Sequence, residues 1–322
     1  MSGLERETWQ GLERWRLTGD EMVAEFLPGY GGQVVSLKHR PTGISLLRAP
    51  NSLEELNGRP FLFGIPVLFP PGRLRHGTFA LGGRTYQWPK NERGLNHLHG
   101  FVWGKPWTLT PDPNGQDAIT ASFEAAEGSP EAAAFSHPFR LTITYRMQGA
   151  TLRLDARAEN SGSEPMPVGF GYHTTFNLLG PNGDRLEYVA KMPNGEEWEM
   201  GDDVMPTGKL LPPRKFARWV DGTEAIWNVV SDNLFLVDPA AKVNEITLTA
   251  KEPNITLWMR AEAPFRNWVV YRPDLKAPFV SLEPVSWVHN APNLPQPPEN
   301  TGVRLLQPGE VAEFSYALGV ST

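Results

Sequence analysis

Histidines in two segments have the residue type and the surroundings that proton transfer needs. His97 and His99 lie in residues 91–104, a segment with three glycines and no strand periodicity, which is typical of a loop that carries functional groups. His173 follows the run 169–172 and has Tyr, Thr and Phe neighbours, so we expect it to be half-buried at the end of a strand. Imidazole titrates near neutral pH, so each of these rings could donate or accept a proton in a reaction.

Glu283 is the acidic counterpart of these rings. In the run 279–285, strand alternation places Glu283 on the same side as Phe279 and Ser281, which we expect to be the buried side. An unpaired carboxylate is costly to bury. Glu283 is therefore expected either to be hydrogen-bonded or to keep a raised pKa and act as a base.

Arg73 and Asp232 complete the set of candidate polar residues. Taken alone, each candidate also has a structural explanation, since a single His is often a satisfied core residue. Asp232 could cap a turn, and Arg73 could belong to a solvated basic patch with Arg75 and His76. Glu283, which precedes a proline, could end an exposed strand. The candidates form one site only if the fold brings these distant segments together.

Short strands are the elements that must position these residues. The chain has 31 glycines and 31 prolines among 322 residues, an excess over average usage that argues against a helical bundle. Residues 140–147 and 151–158 alternate polar and apolar side chains and predict a hairpin. Further strand pairs are predicted at 78–81 with 84–88, 246–250 with 255–260, and 303–306 with 311–318.

Helical signals are few and short, at 52–56, 130–135 and 222–227. Many short strands with regular turn signals predict an all-β sandwich or barrel. No repeat of fixed period and no convincing linker interrupts the pattern. We therefore expect a single domain over residues 1–322.

Composition excludes several function classes. A net charge of −6 leaves no basic excess for a phosphate backbone, so nucleic acid is not an expected partner. The absence of cysteine excludes disulfides, Cys-ligated metals and thiol catalysis. The first twenty residues lack the apolar core of a secretory signal, and the apolar run 61–69 is too short to cross a membrane. We expect a cytoplasmic protein that does not bind membranes.

Four blocks of sequence carry a family resemblance. The two most specific are Asn96-His97-Leu98-His99-Gly100 and His173-Thr174-Thr175-Phe176-Asn177-Leu178. The other blocks are residues 64–70 with 72–74 and 77–79, and residues 282–284 with 290–294, and the turn at 308–310 is similar as well. Together these segments resemble the aldose 1-epimerases, or galactose mutarotase-like proteins, over nearly the whole chain.

The resemblance implies a fold and a reaction. The fold would be a single large antiparallel β-sandwich, in agreement with the strand pattern. The reaction would interconvert the α and β anomers of a free aldose, which needs a proton taken from the C1 hydroxyl and a proton given to the ring oxygen. In this assignment Glu283 is the base and His173 is the acid.

The resemblance also implies how a sugar would be bound. His99 and Arg73 would hold the ring oxygen and nearby hydroxyls and stabilise developing negative charge. Asp232 and Asn96 would bind sugar hydroxyls. Because the process is proton transfer alone, neither a metal nor an organic cofactor is expected. The expected partner is a small-molecule sugar, and monomer and homodimer both remain open.

The chain departs from the family pattern in places that bear on the sugar. Gly72 stands where the family has an Asn before its Arg, which removes one side-chain donor. Thr175 replaces a Tyr, Phe101 follows Gly100 in place of a second Gly, and the alignment around Asp232 is loose. We expect a divergent member whose preferred sugar differs from galactose or glucose.

Three other readings stay open on the sequence. A hexose-6-phosphate 1-epimerase of the same fold would need Arg73, Arg75 and His76 to replace an Arg that is missing after His99-Gly100-Phe101. A non-catalytic sugar-binding protein would not need an acid–base pair. A metal enzyme could use His97 with His99, but no carboxylate follows at ligand spacing.

Trp103, Trp107 and Trp287 lie next to the blocks that carry the resemblance. Aromatic rings can stack on the apolar faces of sugars. The sequence leaves open whether these three residues form a pocket wall or fill the core.

Overall fold

The structure, a computed structural model, describes residues 3–112 and 117–322. Over these residues the chain is built mainly of short strands. In chain order they are β1 (Gly3–Trp9), β2 (Leu12–Thr18), β3 (Met22–Leu27), β4 (Gln33–His39), β5 (Val67–Leu68), β6 (Arg73–Leu74), β7 (Thr78–Leu81), β8 (Arg84–Gln87), β9 (His97–Leu98), β10 (Thr108–Pro111), β11 (Ala118–Ala125), β12 (Phe139–Gln148), β13 (Thr151–Asn160), β14 (Met166–Val168), β15 (Gly171–Tyr172), β16 (Thr174–Asn177), β17 (Tyr188–Lys191), β18 (Gly195–Met200), β19 (Pro206–Leu211), β20 (Glu224–Ala225), β21 (Ser231–Val237), β22 (Glu245–Ala250), β23 (Ile255–Ala261), β24 (Asn267–Arg272), β25 (Phe279–Val285), β26 (Arg304–Leu306) and β27 (Val311–Ser321).

Two large antiparallel sheets dominate the described part of the chain. One has the strand order β10-β11-β12-β13-β27-β23-β22-β17-β20. The other has the order β19-β18-β21-β24-β25-β15-β5, and β16 also pairs with β25. Strands β1 to β4 form a separate meander, and the pairs β6-β9, β7-β8 and β14-β26 are short two-stranded sheets. The predicted all-β architecture is confirmed.

The strand pairs with period-two sequences are largely where the sequence predicts them. β12 pairs with β13, β7 with β8, and β22 with β23. Along β12 and β13 the apolar residues are buried and the polar residues between them are more exposed, as alternation requires. The two predicted carboxy-terminal strands exist but do not pair with each other: β26 pairs with β14, and β27 lies between β13 and β23.

Aromatic side chains join the two large sheets into a sandwich. Tyr172 of β15 stacks on Tyr316 of β27, with ring centroids 5.5 Å apart. Trp268 of β24 meets the same Tyr316 ring at 6.4 Å. Because neighbouring residues of a strand point to opposite faces, the residues next to Tyr172 and Trp268 face away from the second sheet. The candidate site lies on that outer face.

The helices are short and peripheral in the described residues: α1 (Leu53–Gly58), α2 (Pro130–Phe135), α3 (Ala217–Val220) and α4 (Pro298–Thr301). Ser52 and Ser129 cap α1 and α2, since their hydroxyls accept from the backbone N–H groups of Glu55 and Ala132. The helix predicted at 222–227 is wrong, because that segment forms β20, which pairs with β17, and begins a 3₁₀ turn at Ile226–Asn228. None of the helices in these ranges is long and apolar enough to cross a membrane.

Candidate active site

A cavity of about 620 Å³ opens on the outer face of the sheet that contains β25. This volume lies in the range of small-molecule sites. Five of the predicted residues line it: Arg73, His99, His173, Asp232 and Glu283. The fold therefore brings together side chains that are far apart in the sequence.

The acid–base candidates lie on neighbouring strands. The pairings of β15 and β16 with β25 keep one antiparallel register, in which the residue between the two short strands, His173, lies opposite Glu283. On its other side, Glu283 pairs with Val269 of β24. His173 Nε2 lies 3.1 Å from Glu283 Oε1. One proton can therefore be shared directly between the two side chains.

Burial governs the charge of this pair. His173 is buried, not half-buried as expected, because loops cover the outer face of the sheet at this point; the His173 and Glu283 side chains are only 7% and 3% exposed. Burial, together with the Arg73 guanidinium, lowers the pKa of His173 to about 3. Burial and the Asp232 carboxylate raise the pKa of Glu283 well above its usual range, although Arg73 opposes them. Both shifts favour the uncharged forms of the pair, a neutral imidazole beside a protonated carboxyl.

Arg73 lies between two carboxylates. Its Nε donates to Glu92 Oε1 at 2.9 Å, and its Nη1 is 3.7 Å from Asp232 Oδ2. Burial lowers the pKa of Arg73, but the two carboxylates outweigh it and the pKa is raised. Burial also raises the pKa of Asp232, with Arg73 acting in the opposite direction. The guanidinium stays charged and is held in a fixed orientation at the cavity wall.

His99 is held against Gly72 by two contacts. The His99 N–H donates to the Gly72 carbonyl at 2.9 Å, and the His99 Nδ1 accepts from the Gly72 N–H at 3.3 Å. Burial and neighbouring imidazoles lower the pKa of His99 well below its usual value. A neutral ring whose Nδ1 accepts a hydrogen bond carries its proton on Nε2. His99 is therefore a neutral N–H donor at the cavity.

Gly100 allows this loop to pass close to the chain before it. Its φ is +76°, and a β-carbon there would overlap the carbonyl of Phe69. The Phe101 N–H donates to that same carbonyl at 3.0 Å. Only glycine fits such an approach without displacement, so Gly100 fixes the position of His99.

Asn96 lies outside the cavity lining. Its Nδ2 donates to Glu92 Oε2 at 3.2 Å, and its Oδ1 accepts from the His76 N–H at 3.2 Å. Asn96 is therefore placed behind Glu92, which in turn holds Arg73. Direct binding of a sugar by Asn96 stays a prediction, and this geometry favours an indirect contribution.

His97 also lies outside the cavity. Its Nδ1 donates to the Pro89 carbonyl at 2.8 Å, and its ring packs against Trp88 and Phe101 in the core. Within residues 3–112 and 117–322, no three His, Cys, Asp or Glu side chains are grouped to hold a metal ion. The arrangement of His97 and His99 thus gives no geometric support to the metal reading.

The sequence analysis missed several cavity residues, among them His289, Tyr271 and Phe61. His289 follows β25 by four residues and is 3% exposed, while Tyr271 of β24 and Phe61 line other parts of the wall. A histidine just after the strand that carries Glu283 was a usable signal. Tyr271 gave none, because β24 is buried at nearly every position and lacks alternation.

Phe61 lines the cavity wall, whereas Trp103, Trp107 and Trp287 do not. Its ring lies 4.5 Å from the His99 ring and 4.7 Å from the Trp103 ring, centroid to centroid. Trp107 and Trp287 are buried in the core, where their indole N–H groups donate to the carbonyls of Val102 and Pro71. The aromatic surface of the cavity is therefore formed by Phe61 and Tyr271.

Two further arginines stand at the cavity. Arg59 and Arg93 line it and are exposed, and neither forms an ion pair with a carboxylate in the described residues. Arg75, by contrast, pairs with Asp203 at 2.6 Å outside the cavity. Besides Arg73, the cationic groups at the cavity are thus Arg59 and Arg93, whereas Arg75 and His76 are not part of its lining.

A second cavity of about 460 Å³ lies near the ends of β24 and β26. Its arginines are already engaged, since Arg304 pairs with Glu310 and Arg266 donates to the carbonyls of Glu299 and Val237. It contains no acid–base pair comparable to that of the first cavity. The candidate site is therefore the first cavity, where His173 lies beside Glu283.

Comparison with known proteins agrees with the resemblance. A family model described as aldose 1-epimerase matches residues 13–319. Galactose mutarotase from Mus musculus is 25% identical over 209 residues, which are 62% of this chain and only 58% of the mouse protein.

Solved structures match along the full length of the chain. A galactose mutarotase-like protein from Clostridium acetobutylicum superimposes with a TM-score of 0.92 at 24% identity, covering 100% of this chain and 99% of that one. Galactose 1-epimerase from Lactobacillus acidophilus NCFM gives a TM-score of 0.76 at 17% identity, covering 100% and 98%. At these identities the structural similarity shows the fold, and the galactose mutarotase-like sandwich is confirmed.

Proposed function

Since the chain belongs to the aldose 1-epimerase family, we propose that it interconverts the α and β anomers of a free aldose, with Glu283 as the base and His173 as the acid. The observation that carries the proposal is the 3.1 Å contact between His173 Nε2 and Glu283 Oε1 inside a sugar-sized cavity. C1 of a pyranose bears both the hydroxyl that loses a proton and the ring oxygen that gains one. An adjacent acid and base suit that geometry.

The pair needs only the proton that it already holds. In the uncharged form that burial favours, this proton lies on Glu283, and moving it along the contact to His173 gives a carboxylate beside an imidazolium. The proton count is unchanged, and this is the form in which a sugar would react. A sugar hydroxyl donating to the carboxylate would stabilise that form.

During ring opening the pair takes up one proton and gives up one, so no other proton donor or acceptor is needed. Glu283 takes the proton of the C1 hydroxyl while His173 gives its proton to the ring oxygen. The bond from C1 to the ring oxygen breaks, and C1 becomes the carbonyl carbon of the open aldehyde. Glu283 is left protonated and His173 neutral, which is the state that burial favours. Rotation about C1–C2 and the reverse proton transfers give the other anomer.

The other cavity residues would bind and orient the sugar. The neutral His99 ring would donate from Nε2 to a sugar oxygen. Arg73 would stabilise negative charge that develops on oxygen during opening, and Asp232 would accept from hydroxyls. Phe61 and Tyr271 offer aromatic surface to the sugar's C–H faces. Opening and closing the ring require only proton transfers from the protein, so the proposal includes no metal or organic cofactor.

Polarimetry tests this proposal. Freshly dissolved α-D-glucose and α-D-galactose should mutarotate faster with the protein than without it. Sugar binding, measured by calorimetry, without acceleration of any free hexose would contradict catalysis and favour a binding protein.

The same preparation in light scattering distinguishes a monomer from a homodimer. We also propose that the protein acts in the cytoplasm.

A hexose 6-phosphate is the second candidate substrate, and Arg59 with Arg93 favours it. Both side chains stand at the cavity without an ion-pair partner in the described residues, and arginine is suited to bidentate phosphate binding. For this reading, inorganic phosphate should compete with the substrate. Arg59→Gln and Arg93→Gln should raise KM for glucose 6-phosphate and leave KM for glucose unchanged. Equal KM effects on both sugars would contradict it.

A further inference from the structure

His289 occupies the space that a side chain at position 72 would need. Gly72 has φ +75°, and a β-carbon built there would overlap His289 Nδ1 and approach its Cε1 and Cγ to 3.1 and 3.2 Å. A ring in this position excludes any side chain at residue 72. Gly72 and His289 are thus complementary, although 217 positions separate them in the sequence (289 − 72 = 217).

Hydrogen bonds on both sides hold His289 in place. The Trp287 indole N–H donates to the Pro71 carbonyl at 3.0 Å, and the Asn290 N–H donates to the Arg73 carbonyl at 2.6 Å. The Asn290 side-chain oxygen accepts from the Arg75 N–H at 3.2 Å. The segment after β25 is fastened in this way to the segment that carries Arg73. A ring fixed from both flanks is preorganised, as a binding group should be.

The surroundings of His289 keep its ring neutral, and no side chain in the described residues forms a hydrogen bond with its Nδ1. It is 3% exposed, and burial together with Arg73 and His173 lowers its pKa to about 3. Its Nδ1 is buried and has no hydrogen-bond partner among the described residues. The ring nevertheless lines the cavity that holds His173 and Glu283, and the reaction proposed above assigns it no role.

We propose that His289 binds a sugar hydroxyl through Nε2 and so supplies the polar contact that Gly72 cannot make. With His99 it places two imidazoles around Gly72, both of which line the cavity. His289 would then be a specificity-determining residue that selects the configuration at one hydroxyl-bearing carbon. This inference rests on the proposed function for the identity of the ligand as a sugar.

Three variants separate a binding role from a packing role. His289→Phe keeps the ring that packs on Gly72 but removes both nitrogens. Gly72→Asn introduces an amide that tolerates positive φ, but it collides with His289. Gly72→Asn combined with His289→Ala relieves the collision and returns a polar group to the same space. His137→Phe is the matched control, because His137 is an equally buried histidine that lies outside the cavity.

We expect His289→Phe to raise KM about 3- to 10-fold, the effect of one lost hydrogen bond, with kcat within about twofold. The ratio of kcat/KM for glucose over galactose should change, which a purely structural role would not produce. His137→Phe should leave that ratio unchanged. Gly72→Asn alone should lose most activity, and the double variant should recover it. A His289→Phe protein with the wild-type KM and the wild-type ratio would overturn the inference.

Calorimetry with 1-deoxyglucose and 1-deoxygalactose gives a second measurement that needs no turnover, since these sugars lack the anomeric hydroxyl. Weaker binding by His289→Phe supports the inference even if the wild type accelerates no mutarotation, in which case only the proposed function fails. Equal binding by wild type and His289→Phe overturns the inference while leaving mutarotase activity intact. A wild type that neither binds nor reacts overturns both.

Discussion

His173 and Glu283 face each other across one antiparallel register, and their side chains meet at 3.1 Å. A slip of one residue in that register would turn one of the two side chains to the opposite face of the sheet. Since the opposite face is filled by Tyr172, Trp268 and Tyr316, such a slip would also bury polar groups in the core. The packing of the sandwich thus protects the geometry of the acid–base pair.

Glu283→Gln should abolish most activity without unfolding the protein. Burial favours the neutral carboxyl form of Glu283, which an amide resembles in size and charge, so the melting temperature should change little. Loss of the base should lower kcat by about 10²- to 10⁴-fold. Polarimetry and thermal melts measure the two quantities.

Glu197→Gln is the matched control for that substitution. Glu197 is a buried carboxylate outside the cavity, where it accepts from the backbone N–H groups of Arg214 and Phe216. Its replacement should affect stability more than kcat. A Glu283→Gln variant with wild-type kcat would rule out the base assignment.

Asn96→Ala should act through Glu92 and Arg73 and not through direct contact with the sugar. Asn96 donates to Glu92, which holds Arg73. Asn96→Ala and Glu92→Gln should each raise KM several-fold, and the double variant should be little worse than Glu92→Gln alone. Fully additive effects in this double-mutant cycle would instead indicate that Asn96 binds the sugar itself.

Stability should fall as the pH is lowered from 7 to 5. Burial lowers the pKa of five histidines below the unfolded value of about 6.5, so in this range the unfolded chain binds protons that the folded chain does not. These histidines are His97, His99, His137, His173 and His289.

Two carboxyl groups work in the opposite direction. The raised pKa values of Glu283 and Asp232 let the folded state keep protons that the unfolded state has released, but they are outnumbered by the histidines. Each excess proton bound on unfolding contributes about 1.4 kcal/mol per pH unit. Urea unfolding at several pH values measures the slope, and His289→Phe should reduce it by about one proton. A constant free energy of unfolding from pH 7 to 5 would contradict the prediction.

Gly100→Ala should cost more stability than Gly94→Ala. Both glycines have positive φ, but a β-carbon at Gly94 meets nothing within 4 Å, whereas one at Gly100 overlaps the carbonyl of Phe69. Gly94→Ala should therefore show only the left-handed strain of about 1–2 kcal/mol and retain activity. Gly100→Ala should exceed that value and also raise KM, because it displaces His99. Equal losses for the two variants would argue against the close approach.

Strand positions could be predicted from the sequence because alternation is a local property. β12 and β13 show it clearly, and their short connection determines their partner. The partners of β26 and β27 could not be predicted, because pairings with distant strands depend on the whole sandwich. The error at 222–227 has the same origin: Glu224 and Ala225 lie beside β17, and that contact overrides a weak helical preference.

Some residues of the cavity could likewise be predicted from the sequence, and others could not. Glu283 could be singled out because a carboxylate in a buried strand is chemically unusual, and His173 because of its motif. The position of His289 after the strand of Glu283 was a signal too, but its packing against Gly72 could not be predicted, since it depends on the missing side chain at Gly72 and on contacts made only after folding. Arg59 and Arg93 are ordinary surface arginines in the sequence and become relevant only because the fold places them at the cavity.

The cavity is built partly from strands and partly from connecting segments, and this has a consequence for its evolution. His173 and Glu283 are fixed by a sheet that the core must preserve, whereas residues 59–62, 93 and 289 reach the cavity from connecting segments. Insertions and exchanges in such segments disturb a sandwich little. Under the proposed function, sequence changes in the connecting segments can therefore alter which sugar is bound while the His173–Glu283 pair is kept, and directed evolution of this scaffold should begin with those segments.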